Sequence, residues 1–321
     1  MTLEQPNQTL RVVCVADEPD RRLLRFVASL AQASALQPDL VVVTSNLRHP
    51  LLEPVRARGA RLIEAGRGLS YGARVNLGVG DLGTDWLAIA RADIEWRPGS
   101  IDRLIAAAQT DPRVGAVGPR LLRPDGRVHP SAHRSARALA HLALGLGPVL
   151  ASRVQRGQPR PPHRLDLAPT ETARGVGWLS SCCLLLRPAA FAAVGGFNEN
   201  YSHFFEDGDL AERLESEGWS SLYLPAAEAS FTPHQLSRVQ AIGLVRSHYR
   251  GARLYLADHL PRWFQAPLRW CVGLSLVFRL RLAVLSILLR RPRRLSQAGD
   301  RTGRPRRWRR RPGRGSRNRR S

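Results

Sequence analysis

Residues Gly175–His234 read GVGWLSSCCLLLRPAAFAAVGGFNENYSHFFEDGDLAERLESEGWSSLYLPAAEASFTPH, and the rest of the chain is organised around them. At the centre, Phe204-Phe205-Glu206-Asp207-Gly208-Asp209-Leu210 sets three carboxylates within four residues, directly before a helical pattern. Leu210, Leu214 and the later Trp219 can face a core, while Glu212, Arg213, Glu215 and Glu217 face water. Acids at a helix start satisfy unpaired N–H groups and favour the helix dipole. That accounts for one acid, at most two. An acid cluster placed just after a Gly195-Gly196 turn and an aromatic pair calls for a chemical role.

Upstream the pattern alternates. Leu10–Ala16 (LRVVCVA) is a short apolar run bounded by polar residues, as in a buried parallel strand. Asp20 to Ala33 reads as a helix with Leu23, Leu24, Phe26, Val27 and Leu30 inward, then Leu40–Thr44 and Arg61–Glu64 as strands. Trp86–Ala90 is another strand, Ser100 can cap a helix carrying Ile101, Leu104, Ile105 and Ala108, and Val114–Pro119 and Leu222–Pro225 follow as strands. This rhythm predicts a doubly wound, mostly parallel α/β sheet with ligands at the carboxyl ends of its strands.

The chain has 321 residues and a net charge of +23, and it contains no lysine, so all 49 basic residues are arginine. Its four cysteines (Cys14, Cys182, Cys183, Cys271) have no CxxC spacing and lie in apolar runs, which predicts buried thiols rather than a disulfide frame or zinc site. The polar Met1–Thr9 is unlike a signal peptide, so the catalytic part is expected in the cytoplasm.

The apolar run ending in Arg187, then Ala190-Phe191, Val194-Gly-Gly-Phe197, Glu206-Asp-x-Asp-Leu210, Gly218-Trp219 and Tyr223-x-Pro225, resembles the acceptor half of an inverting family 2 glycosyltransferase. It is most similar to the actinobacterial rhamnosyltransferases that act on a polyprenyl-diphosphate-linked N-acetylglucosamine. The likeness continues through Trp96-x-Pro-Gly-Ser-Ile-Asp102, Gly118-Pro119, Pro124-Asp-Gly126 and Pro130-Ser-Ala132, and so spans about residues 10 to 290. The resemblance implies a GT-A-like fold and transfer of a sugar, with L-rhamnose from dTDP-rhamnose foremost, to a lipid-linked glycan acceptor.

By the same resemblance, Asp207 is the base that takes the acceptor proton, with Glu206 as its substitute. Trp178 and the Gly175–Ser181 segment line the acceptor pocket. Asp209 belongs to the acceptor side, where it caps the helix or orients a loop. The nucleotide-binding half departs from the family pattern at three places. Ser45-Asn46 stand where the family has an acid followed by Asn; Gly68-Leu-Ser-Tyr-Gly72 stands for Asn-x-Gly; and Arg91-Ala92-Asp93 puts an arginine beside the metal-binding acid. Ser45, Asn46, Arg91 and Asp93 are the expected donor contacts. A divalent metal (Mg²⁺ or Mn²⁺) is expected on Asp93, with Arg91 able to neutralise diphosphate directly. Phe231 occupies the aligned position of a family histidine, and His234 is the substitute ligand.

The C-terminal third carries the membrane signals. Ala241 to Tyr255 has a basic helical face, and Pro267–Leu289 is very apolar but interrupted by Arg269, Arg279 and Arg281. Its longest uncharged stretch, Trp270–Phe278, is far short of the roughly 20 residues of a span, which predicts one or two interfacial amphipathic helices. Arg290 to Ser321 holds 15 Arg and one Asp, net +14, too polar to fold and suited to anionic head groups rather than to a specific nucleic acid. Residues 138–169 read as a loop over the acceptor side or a membrane-facing lobe. The expected organisation is a glycosyltransferase domain over 1–240, membrane-associating helices over 241–289 and an arginine tail over 290–321, working peripherally at the cytoplasmic face of the plasma membrane. The missing acid, Arg91 and Phe231 keep a second reading open: a catalytically degenerate, membrane-tethered binding subunit.

Overall fold

The computed structural model describes residues 8–133, 172–232, 237–260 and 262–289. The chain divides into two units, Met1–Leu289 and Arg290–Ser321, and every described residue falls in the first. The loop or lobe expected over 138–169, the arginine tail and His234 lie outside the described residues.

The apolar runs of the N-terminal half form β1 (Leu10–Val15), β2 (Pro38–Thr44), β3 (Arg61–Glu64) and β4 (Trp86–Arg91). They pair in parallel in the order β3-β2-β1-β4. All six β1 positions are buried because helices cover both faces of the sheet, which removes any need for polar alternation. Helix α1 (Arg21–Ala33) starts at Asp20, whose side chain accepts from the Arg22 N–H at 2.8 Å. Its Leu23, Phe26, Val27, Leu30 and Ala33 recur at helical spacing and are buried; such side chains contribute roughly 1.5–3 kcal/mol each for the larger ones. A short α2 (Glu53–Arg56) and then α3 (Tyr71–Val79, capped by Ser70) complete this half.

The sheet then changes direction. After β5 (Ile94–Trp96), α4 (Ser100–Gln109) and β6 (Val114–Leu122), short strands β7 (Val128–His129), β8 (Ala132–His133), β9 (Arg174–Val176) and β10 (Trp178–Leu179) lead to β11 (Cys183–Leu186). Strand β11 lies antiparallel between β4 and β6. Helices α5 (Pro188–Ala193) and α6 (Glu206–Ser216) precede β12 (Ser220–Phe231), which is parallel to β6 and antiparallel to β5. The main order is β3-β2-β1-β4-β11-β6-β12-β5, with β7 on β6 and β9 on β12, a mixed sheet in which the longer ladders are the parallel ones.

Several details differ from the sequence reading. Strand β12 runs on to Phe231, since beyond a register shift after Leu224 its far end pairs with β5 as well as β6. Helix α4 is entered through Gly99, in left-handed backbone, and Ser100 instead donates its hydroxyl to Arg97 and Glu228 carbonyls at 2.7 and 2.6 Å. Glu212 does not face water: it meets helix α7 (Arg238–His259), accepting from the Tyr255 hydroxyl and pairing with His259 Nε2 at 2.6 Å. Cys14, Cys182 and Cys183 are buried free thiols as expected, but Cys271 is exposed. It sits on α8 (Ala266–Leu289), one unbroken helix of 24 residues.

Two clusters of apolar side chains cover the two sheet faces. A third joins α7 and α8 to the start of α6, with Tyr249, Tyr255, Leu276 and Ala283 in one cluster with Trp178, Tyr201 and Phe205. The Trp263–Leu289 segment is long and apolar enough to cross a membrane by length and composition. Its outer side shows Trp270, Leu274 and Phe278, each more than half exposed.

Candidate active site

Helix α6 begins after two consecutive residues in left-handed backbone, Phe204 (φ 68) and Phe205 (φ 71). Such backbone costs of order 1–3 kcal/mol per non-glycine residue, so packing must hold it. Phe205 is 3% exposed, with its ring 5.6 Å from that of Tyr255 on α7. The turn delivers Glu206 and Asp207 to the first turn of α6, against the Ser180–Cys182 segment. Asp207 accepts from the Gly208 N–H at 3.0 Å and from the Ser181 N–H at 3.4 Å. Glu206 is buried, and its Oε2 has no hydrogen-bond partner among the described residues. Burial raises both carboxyls above their ordinary range, and the charge of Asp207 raises Glu206 further. A carboxylate so desolvated is a stronger proton acceptor than one in water.

Asp209 is committed elsewhere. It holds Arg213 through two N–H groups at 2.9 and 2.7 Å, and Arg213 donates to the Val194 and Gly196 carbonyls at 2.5 and 2.8 Å. This places Asp209 with the turn around Gly195-Gly196 rather than with an acceptor. That turn is pinned from the other half of the fold: Asn76 donates to the Phe197 carbonyl and accepts from its N–H, both at 2.9 Å. Gly196 (φ 77) cannot be replaced there, because a Cβ would stand 2.7 Å from Asn76 Oδ1.

Across from the acids, β4 ends at Arg91. Its N–H donates to the Cys182 carbonyl at 3.0 Å, one residue from the Ser181 N–H that meets Asp207. Arg91 grips Asp93 with Nε and Nη2 at 3.1 and 2.7 Å, one nitrogen to each carboxylate oxygen. Asp93 is 5% exposed, the Arg91 side chain 45%. Among the factors acting on Glu206 is the Arg91 charge, so the strand end and the acid pair share one environment. Ser45, at the end of β2, donates to the Asp17 carbonyl at 3.0 Å, while the Asn46 side chain caps its own turn at Arg48.

Three residues unremarked in the sequence belong here. Asp17, just past β1, pairs with Arg74 of α3, which is 2% exposed and also donates to the Gly66 and Leu69 carbonyls at 2.9 and 3.1 Å. This clasp fixes the glycine-containing loop 66–70 to the strand ends. His203, next to the strained turn, is held below its usual pKa by desolvation and by Arg91. No sequence motif announces the Asp17–Arg74 pair, since it spans 57 positions.

Trp178 is 8% exposed and stacks on His133 with ring centroids 3.7 Å apart, which leaves little of the indole open to an acceptor. Phe231 ends β12, 7% exposed, with the Arg91 guanidinium 5.8 Å from its ring centroid. The residues expected to hold a divalent metal fit one poorly. Both Asp93 oxygens are engaged by Arg91, Phe231 offers no ligand, and the described residues contain no cluster of three or more metal-ligating side chains. His234 lies outside the described residues.

A mixed, mostly parallel α/β sheet whose β4 end meets a carboxylate pair at the start of α6 is the arrangement of a GT-A-like glycosyltransferase. The chain belongs to glycosyl transferase family 2, whose family model matches residues 10–166. Over 301 residues, 89% of this chain and 96% of the relative, it is 38% identical to the N-acetylglucosaminyl-diphospho-decaprenol L-rhamnosyltransferase of Mycobacterium tuberculosis, in strains CDC 1551 / Oshkosh and ATCC 25618 / H37Rv alike. A shorter stretch of 123 residues, 38% of this chain and 9% of the relative, is 34% identical to the O-antigen biosynthesis protein RfbC of Myxococcus xanthus. Among solved structures, GalNAc-T7 with UDP, GalNAc and Mn²⁺ matches with a TM-score of 0.53 at 12% identity, over 75% of this chain and 47% of its own. At that identity the likeness is one of fold.

Proposed function

We propose that this chain is an inverting glycosyltransferase that moves a sugar, L-rhamnose from dTDP-rhamnose, onto a polyprenyl-diphosphate-linked acceptor in the synthesis of a cell-surface polysaccharide. The observation that carries the reading is the Ser181–Cys182 step. One residue holds the candidate base Asp207 and the next holds the arginine at the end of β4, so base and leaving-group side stand on adjacent peptides. The 38% identity to the mycobacterial rhamnosyltransferase over nearly all of that protein supports the substrate class.

In the reaction, an acceptor hydroxyl oxygen attacks the anomeric carbon on the face opposite the nucleotide. The new C–O bond forms as the bond to the diphosphate breaks, and the bonding pair leaves with the nucleoside diphosphate. Asp207 takes the hydroxyl proton; Glu206, buried beside it and raised by burial and by the Asp207 charge, is the substitute acceptor. No step is routed through a divalent cation, because Asp93 as it stands fits one poorly.

The lipid-linked acceptor requires the site to work close to head groups. The exposed Trp263, Trp270, Leu274 and Phe278 of the C-terminal helical region offer apolar area, and Arg290–Ser321 offers charge, two signals that together give a stable peripheral anchor. The reading places the enzyme at the cytoplasmic face of the plasma membrane. Its test is transfer from dTDP-rhamnose to N-acetylglucosaminyl-diphosphoryl-polyprenol by the purified chain. Donor and acceptor binding without any transfer would support the degenerate binding subunit instead.

A further inference from the structure

We infer that the donor diphosphate is neutralised by the Arg91 guanidinium in the place of a divalent cation, so that nucleotide binding is independent of metal; the inference rests on the nucleotide-sugar reading above. Four observations converge on Arg91. It stands at the carboxyl end of β4, in register with Val15 at the end of β1, where parallel α/β sheets bind their ligands. Its fork closes on both oxygens of Asp93, so a cation ligated by that carboxylate would stand against the guanidinium charge. Asp93 is almost wholly buried, and stripping a buried acid of its counter-charge is costly. Phe231 places its ring centroid 5.8 Å from the guanidinium carbon, an aromatic contact that offers no ligand to a cation.

The arrangement still leaves Arg91 able to act. Asp93 occupies Nε and one hydrogen of Nη2, the side chain is 45% exposed, and its remaining N–H groups suit phosphate oxygens. Asp93 is thus a positioning residue, holding the fork at the strand end through charge and two hydrogen bonds. The neighbouring cation Arg74 is sequestered by Asp17 and two carbonyls, which leaves Arg91 as the exposed positive group of this cluster among the described residues. His203, held below its ordinary pKa by desolvation and then by the Arg91 charge, belongs to the same cluster.

The test is titration calorimetry of the full-length chain with dTDP, and with UDP as a second probe, in EDTA and then in Mn²⁺ or Mg²⁺. The expected result is one affinity for dTDP in all three conditions. Arg91→Ala removes the charge and frees Asp93, so its affinity in EDTA should fall roughly ten- to hundredfold, the effect of losing a charged hydrogen-bonding partner. Mn²⁺ should then restore part of that loss in the variant and none in the wild type, a readout that a merely structural role would not give. Wild-type binding that appears only with a divalent cation overturns the inference and leaves the glycosyltransferase reading standing. Failure of the wild type to bind either nucleotide under any condition overturns both.

Discussion

Gly251 of α7 supports Phe205 at the entrance to the acid helix: a Cβ on Gly251 would stand 2.9 Å from Phe205 Cδ2 and 3.1 Å from the Phe204 carbonyl oxygen. The strained turn that aims Glu206 and Asp207 is therefore braced from a helix outside the sheet, and that helix packs on α8. Gly251→Ala should improve the local helix by up to about 1 kcal/mol yet overpack the turn at a cost of about 1–3 kcal/mol. Turnover should fall by up to roughly a hundredfold, since a displacement of about 1 Å in a reacting group has that effect. Thermal unfolding and turnover of the variant check this; wild-type values for both would show that the turn does not depend on α7.

Asp207→Asn keeps the shape of the side chain and removes its proton affinity. Turnover should drop about 10²–10⁴-fold, the usual contribution of a general base, with dTDP affinity unchanged. In the wild type the base must be ionised, and burial raises its pKa. Activity should therefore fall as pH drops through a value above the ordinary aspartate range, and this limb should be missing from residual Asn-variant turnover. A pH–rate profile of both proteins is the measurement, and wild-type turnover by Asp207→Asn would reassign the base to Glu206.

Glu206→Gln tests the electrostatics of the pair. Burial and Asp207 raise the pKa of Glu206 in the folded state, so its contribution to stability is fully present below the unfolded value and is lost as pH rises through the folded one. A neutral isostere escapes that loss. The variant should be more stable than the wild type at pH 8, where the folded wild type must either carry a buried charge or take up a proton and the amide does neither. The difference should shrink toward pH 5. Denaturant melts at the two pH values decide it, and an equal or lower midpoint for the variant at pH 8 would mean that the Oε2 atom is better satisfied than its surroundings indicate.

What could be read beforehand was what local pattern encodes. The run Leu10–Val15, the stripe Leu23, Phe26, Val27 and Leu30, and the start of α6 at the acids follow from periodicity and capping chemistry. The mixed sheet is different, because the antiparallel insertion of β11 between β4 and β6 depends on pairings far apart in sequence. The same limit hid the Asp17–Arg74 clasp and the turn of Glu212 toward Tyr255 and His259. Glu212 sits on the polar side of its own helix, and only the arrival of α7 gives it partners. At Arg91-Ala-Asp93 the sequence held both possibilities, a metal-binding acid and an ion pair, and the two-residue spacing at a strand end brings guanidinium and carboxylate together.

Trp270, Leu274 and Phe278 recur every four residues along α8 and are 73%, 67% and 63% exposed, while Val272, Leu276 and Ala283 of the same helix are buried. Changing the three exposed residues to serine removes apolar area without touching the buried ones, so fold and dTDP binding should persist while binding to vesicles weakens. Each fully inserted large side chain contributes roughly 1.5–3 kcal/mol, so the triple change should lower vesicle affinity by at least tenfold at any salt concentration. Deleting Arg290–Ser321 removes charge instead; its effect should be confined to anionic vesicles and should shrink as salt screens the attraction. Activity on a short water-soluble acceptor should survive both changes while activity on the polyprenyl-linked acceptor falls. Co-sedimentation with neutral and anionic vesicles across a salt series separates the two contributions. If the triple serine variant binds anionic vesicles as the wild type does at high salt, α8 plays no part in anchoring, and its exposed face is left for a protein partner.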